Sequence, residues 1–159
     1  MSSIHLQHGN PFSAGRCMDG KNIGDDSICR TEKELSPWIA FDFGEEVEVG
    51  SVVIFSGQAG RTEKIMNLDV RITFGLPEDR ESKFTGGTLL GSFNGTLKKC
   101  QRILIKSLVL LKGRYVFIQM NHRAKEHLSF QEVAIFKSTE ISTGIFQVGL
   151  YIRMIKVCF

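Results

Sequence analysis

The stretch NLDVRITFG, residues 67 to 75, alternates without a break. Leu68, Val70, Ile72 and Phe74 fall on one face, and Asp69, Arg71 and Thr73 on the other. That period is the pattern of a half-buried strand, because successive strand side chains point to opposite faces. Related runs recur along the chain. PWIAFDFG reads as a short strand ending at Gly44, with Ile39, Phe41 and Phe43 on one face and Trp38, Ala40 and Asp42 on the other. VEVGSVVIF follows, rich in β-branched residues. GGTLLGSFNG and QRILIKSLVLL read as two shorter strands, and GRYVFIQM and HLSFQEVAIF complete the pattern. No helical period longer than two turns interrupts it. Short strands separated by irregular loops predict an all-β sandwich.

The 159 residues suit one domain with a real core. A 42% hydrophobic and 23% charged composition excludes a disordered chain. The net charge of +3, with basic residues scattered, gives no reason to expect a nucleic-acid partner. MSSIHLQHGNPF lacks a basic and then apolar leader, so no signal peptide is visible. The sandwich is expected over residues 1–137. Residues 138–159 form an apolar tail broken by Gln147, Gly149, Arg153 and Lys156, too interrupted to span a bilayer. An added strand, a short buried helix and an adhesive appendage all stand open for it.

The last strand raises a chemical question. Glu132 lies between Phe130 and Val133 in an otherwise apolar run. An ionised carboxylate is costly to bury alone, so a cation, a basic side chain or water at a strand end should neutralise it. Four cysteines, Cys17, Cys29, Cys100 and Cys158, contain no CxxC pair, which argues against a thiolate zinc site. Two disulfides and four plain thiols are equally open. NHRAKEH reads as a solvated hairpin loop rather than a metal site at His122 and His127, and GLPEDRESKFTGG as a solvent-facing loop. Asn94-Gly95-Thr96 is a glycosylation sequon, relevant only to a secreted chain. No nucleophile–base pair, catalytic carboxylate pair or phosphate loop is apparent, so no enzyme is expected.

The ordered set MDG, SICRT, SPWIAFDFG, VGSVVIF, NLDVRITFG, KGRYVFIQM and LSFQEVAIF resembles the F-type lectins, or fucolectins. More broadly it is similar to the discoidin, or coagulation factor 5/8 C-type, galactose-binding-like domains. The resemblance spans roughly residues 2 to 136. It implies an eight-stranded jelly-roll β-sandwich with ligand loops at one end. It also implies a non-enzymatic module that binds fucose-bearing glycans, holds a structural calcium ion and works outside the cell. Carried over by position, the calcium ligands are the side chains of Asp19 and Glu132 and the carbonyls of Arg16, Lys21, Ile28 and Cys29. Calcium takes six to eight oxygens in flexible geometry, which such a loop can supply.

The sequence departs from the family in two places. The partner of the cysteine at Cys29 is replaced by Gln131, and the partner of Cys100 is missing, so both usual bridges look unavailable. Cys17 and Cys29 flank the same loop, and a bond between them stays open. In the sugar site, the histidine position holds Thr31, the first basic position holds Gly57, and the second holds Lys64. Arg30 and Arg61 are nearby substitutes. The expected function is therefore a calcium-stabilised carbohydrate-binding module with an altered sugar site. The alternative is a discoidin-like adhesion or protein-interaction module that binds no sugar. A homo-oligomer would supply the valency that weak sugar contacts need.

Overall fold

Two long strands carry the architecture. Residues 3, 6–7, 10–19, 28–56, 65–79 and 83–137 are described by the computed structural model. The tail expected at 138–159 lies outside them. Strands β1 (Leu6–Gln7) and β2 (Asn10–Pro11) pair as a short antiparallel ladder. Strand β4 runs Trp38–Phe55 and β7 runs Arg102–Met120, antiparallel to each other from Trp38↔Gln119 to Phe55↔Arg102. Both carry a corner. On β4, Phe43 to Glu46 bulge between the pairs Asp42↔Tyr115 and Val47↔Gly113, with Gly44 at φ +78. Glycine takes that left-handed backbone without a Cβ clash. On β7, Ser107 to Leu110 bulge between Val49↔Leu111 and Ser51↔Lys106. What reads in sequence as two separate strands in each case is thus one bent strand with two arms.

The arms pair with different neighbours. Strand β5 (Met66–Thr73) pairs only with the second arm of β7, and β6 (Thr88–Thr96) pairs with β5. Strand β9 (Glu132–Phe136) pairs only with the second arm of β4. The order is β6-β5-β7-β4-β9, all antiparallel. The two halves fold face to face. A Cβ added at Gly91 of β6 would come within 2.9 Å of Ile105 Cγ2 on the opposite half, so this glycine sets the separation of the layers.

The core between the halves holds Ile39, Phe41, Val52, Ile54, Leu68, Val70, Ile118 and Ile135, among others. The alternation predicted for β4 and β5 therefore holds. Phe74 departs from it: β5 ends at Thr73, and Phe74 is 63% exposed. A second cluster covers the outer face, where Trp38, Ala40 and Phe117 pack beneath Phe84. The Phe84 and Phe117 ring centroids lie 4.8 Å apart, and the Phe84 N–H donates to Gln119 Oε1 at 3.0 Å. The Gln119 amide in turn donates to Ser36 O at 3.0 Å. The loop read as solvent-facing is therefore clamped onto the sheet at Phe84. A single apolar side chain inside a polar run gives no periodicity to reveal it.

These arms define two poles. At one, Trp38, Phe55, Arg102 and Met120 terminate their strands, and the connecting loops are knitted together. Ser56 N–H donates to Gln101 O, Leu97 N–H to Ile65 O, and Met120 N–H to Pro37 O. The corners of β4 and β7 form the other pole.

Candidate carbohydrate and calcium site at the loop pole

The N-terminal segment is fastened to the loop pole by covalent and hydrogen bonds. A 3-10 helix spans Ala14–Met18, and Asp19 caps its C-terminus. Cys17 and Cys29 are both fully buried and form a disulfide across 12 residues, with Cα atoms 5.3 Å apart. This is the bond left open by the sequence. Gln131, at the position of the missing partner, is buried. Cys100 remains an exposed thiol.

From Cys29 the chain enters β3 (Cys29–Arg30), which pairs antiparallel with β8 (Ser129–Phe130). Arg30 N–H donates to Phe12 O at 3.0 Å, so β3 is held on both sides. The register continues past the strand. Thr31 N–H donates to Leu128 O, and Leu128 N–H donates to Thr31 Oγ1, both at 3.0 Å. The Thr31 hydroxyl donates to Glu32 O at 2.9 Å, and the His127 Nδ1 lies 2.7 Å from Thr31 O. His127 is buried, which corrects its reading as part of a solvated turn. His122 does sit in the turn, where its Nδ1 accepts from Ala124 N–H at 3.1 Å.

Thr31 is 0% exposed, and its hydroxyl both donates and accepts within the backbone network. At the position where the resemblance expects a ligand-facing histidine, this chain carries a residue that shapes the loop from beneath. Replacing Thr31 with Val keeps the shape and removes the hydroxyl. It should cost about 1–3 kcal/mol, because the Leu128 N–H is left buried without its acceptor. Thr31→Ser should retain most of that stability. Urea denaturation of the two variants checks the order.

Glu132 opens β9 opposite Phe55, and Gln131 N–H donates to Phe55 O at 3.0 Å. Val133 and Ile135 point into the core, so Glu132 lies on the outer face of its strand at the loop pole. It is half-buried, and its Oε2 is shielded from solvent. The carboxylate thus stands at the start of its strand, on the face opposite Val133 and Ile135. Strand β9 packs against the 3-10 helix that leads into Asp19. Asp19 is exposed, and the Arg16 guanidinium stacks over the Phe12 ring at 4.8 Å.

The structure therefore brings Arg16, Asp19, Ile28, Cys29, Arg30, Thr31 and Glu132 to one pole through the helix, β3 and β9. Lys21, Arg61 and Lys64 lie outside the described residues. Among the described residues, no group of three or more His, Cys, Asp or Glu side chains is placed to hold a metal ion. The carried-over calcium set differs in kind, since it takes most of its oxygens from carbonyls.

No family model matches the sequence. Nor does any curated protein. Solved structures do match. A fucolectin from striped bass (Morone saxatilis) serum superposes with a TM-score of 0.69 at 19% identity, over 84% of this chain and 44% of that one. The fold is that of the F-type lectins. This chain spans less than half the length of the bass protein. The lectin domain of lectinolysin, complexed with Lewis B antigen, gives a TM-score of 0.61 at 22% identity, over 79% of this chain and 84% of that one. The family 32 carbohydrate-binding module of Clostridium perfringens NanJ, in complex with galactose, gives 0.57 at 15% identity, over 81% and 86%. The sandwich architecture and the resemblance drawn from the sequence are thereby supported.

Proposed function

We propose that this chain is a non-enzymatic carbohydrate-binding module of the fucose-type lectin kind, acting outside the cell. The observation that carries the reading is the loop pole itself. It is a rim strapped by a disulfide and by paired strands, on a fold shared with fucolectin and with galactose- and Lewis B-bound modules. Arg30, Arg61 and Lys64 are the proposed donors to sugar oxygens. Arginine presents a rigid fork of N–H groups that matches vicinal oxygens, and lysine contributes a mobile ammonium. Thr31 positions the rim from below.

The donor set proposed for a cation is all oxygen, which is the chemistry of calcium. Asp19 and Glu132 would contribute carboxylates, and Arg16, Lys21, Ile28 and Cys29 carbonyls. Bound there, the ion would supply a fixed positive charge joining the helix–β3 segment to β9. The disulfide supports an oxidising compartment, because such bonds persist where thiols are not kept reduced.

The enclosed Thr31 favours a second reading, a discoidin-like protein-interaction module, because one donor position presents no side chain to a ligand. A glycan array of the full chain, run with calcium and with EDTA, separates the two. The lectin reading predicts retention on fucosylated glycans that weakens in EDTA. An array with no retained glycan favours the interaction module.

A further inference from the structure

Asn94-Gly95-Thr96 is the chain's one glycosylation sequon, since Asn10, Asn22, Asn67 and Asn121 have no serine or threonine two residues on. The fold puts it on β6, the strand at one end of the order β6-β5-β7-β4-β9, whose outer edge pairs with no other described strand. Leu68↔Phe93 and Met66↔Thr96 are register partners, so Asn94 and Gly95 together stand opposite Asn67 alone. That is a β-bulge, which interrupts the ladder and re-aims a side chain. Gly95 at φ +120 and Asn67 at φ +50 take the left-handed backbone that the bulge needs. The Asn67 Oδ1 accepts the Gly95 N–H at 3.1 Å and holds the bulge in place. Asn94, Gly95 and Thr96 are all exposed, and burial resumes only at Leu97. Both side chains that define the sequon therefore lie on the surface.

We propose that Asn94 carries an N-linked glycan that covers the open edge of β6. This rests on the extracellular setting proposed for the chain and not on its sugar site. The Cys17–Cys29 bond supports that setting, because disulfides persist in oxidising compartments. In the transfer, the Asn94 amide nitrogen attacks the anomeric carbon of an oligosaccharide carried on a lipid pyrophosphate. The N–C bond forms as the C–O bond to the pyrophosphate breaks. The amide gives up one proton, the lipid pyrophosphate leaves with the electron pair, and nothing is oxidised or reduced. A glycan is bulky and hydrated, so its asparagine must stand clear of the core. The bulge at the sheet edge meets that condition. The edge also gains from the modification. An uncovered edge strand offers unpaired N–H and C=O groups to another chain, and native proteins blunt such edges with charges, bulges or a cover. Strand β6, TLLGSFNGT, has no charged side chain, and its Leu89 is 45% exposed. Besides the bulge, a glycan at Asn94 supplies the cover that charge does not.

Secretion of the full chain from mammalian cells behind a cleavable leader, followed by peptide N-glycosidase F, tests this. A gel shift to the mass of the bare chain is expected, with aspartate at position 94 after release. Asn94→Gln and Thr96→Ala should each abolish the shift. Thr96→Ser should keep it, because either hydroxyl completes the sequon. On heating, the Asn94→Gln chain should scatter light at a lower temperature than the glycosylated parent, since its edge is bare. Equal onset in the two would overturn the covering role. A secreted chain that the enzyme leaves unshifted overturns the proposal and leaves the sugar-binding reading untouched. So does a shift that persists in Asn94→Gln. A glycosylated chain that retains nothing on the glycan array supports the modification and counts against the lectin reading alone.

Discussion

Replacing Arg114 with alanine is expected to destabilise the protein by about 2–3 kcal/mol, with a fall in Tm of about 5–10 °C. Asp42 is 1% exposed, and Arg114 grips it with both prongs, Nε to Oδ1 at 2.7 Å and Nη2 to Oδ2 at 2.8 Å. The same Oδ1 accepts the Gly44 N–H at 2.8 Å. The carboxylate thereby fixes the β4 corner and ties it to β7. Removing the guanidinium leaves a desolvated charge, and that penalty exceeds the worth of an exposed pair. Arg114 itself is 43% exposed at its side chain, which keeps the figure below that of a fully buried pair. Arg114→Lys should recover only part of the loss, since an ammonium cannot form the fork. A thermal melt of Arg114→Ala within 1 °C or so of the parent would contradict this account of the corner.

Loss of the Cys17–Cys29 bond should have a comparable effect on stability and a larger one on the rim. Closing a loop of 12 residues restricts the unfolded chain by about 3 kcal/mol. The bond also fastens the helix to β3, and β3 in turn holds Thr31 against Leu128. In a Cys17→Ala/Cys29→Ala variant, amide exchange at Thr31 and Leu128 should accelerate well before exchange at Ile118 or Val70 in the core. Calcium-dependent stabilisation and glycan retention should fall together. Uniform exchange across the chain in that variant would show that the strap is not a separate unit of stability.

Much of this was legible in the sequence, and the misses have physical causes. Alternation exposed the inward faces of β4 and β5 because each side chain there meets one layer only. It failed at Phe74 because a strand end, unlike a strand interior, does not decide burial. The corner at Gly44 looked like a strand end, and the bulge at Ser107–Leu110 lay hidden inside a run that reads as one strand, since local propensity does not distinguish a bulge from a break or from a regular strand. Phe84 and His127 were hidden for another reason. Their burial depends on partners far along the chain, Gln119 and Thr31, and periodicity says nothing about such contacts. The Cys17–Cys29 bond was open but undecided because cysteine count does not fix connectivity. In the candidate site, Asp19, Glu132 and Thr31 are assigned by position within the ordered motifs, and Arg30 as the neighbour of Thr31. The role of Thr31 as a support needed its hydrogen bonds.

The central claim is that the strapped loop pole is where a sugar binds. Amide chemical-shift mapping of the full chain during titration with L-fucose tests it most directly. The account predicts shifts concentrated at Arg30, Thr31 and the residues leading into Glu132, with Leu108 and Val109 unmoved. Shifts centred on the β4 and β7 corners, or none at saturating sugar, would contradict it.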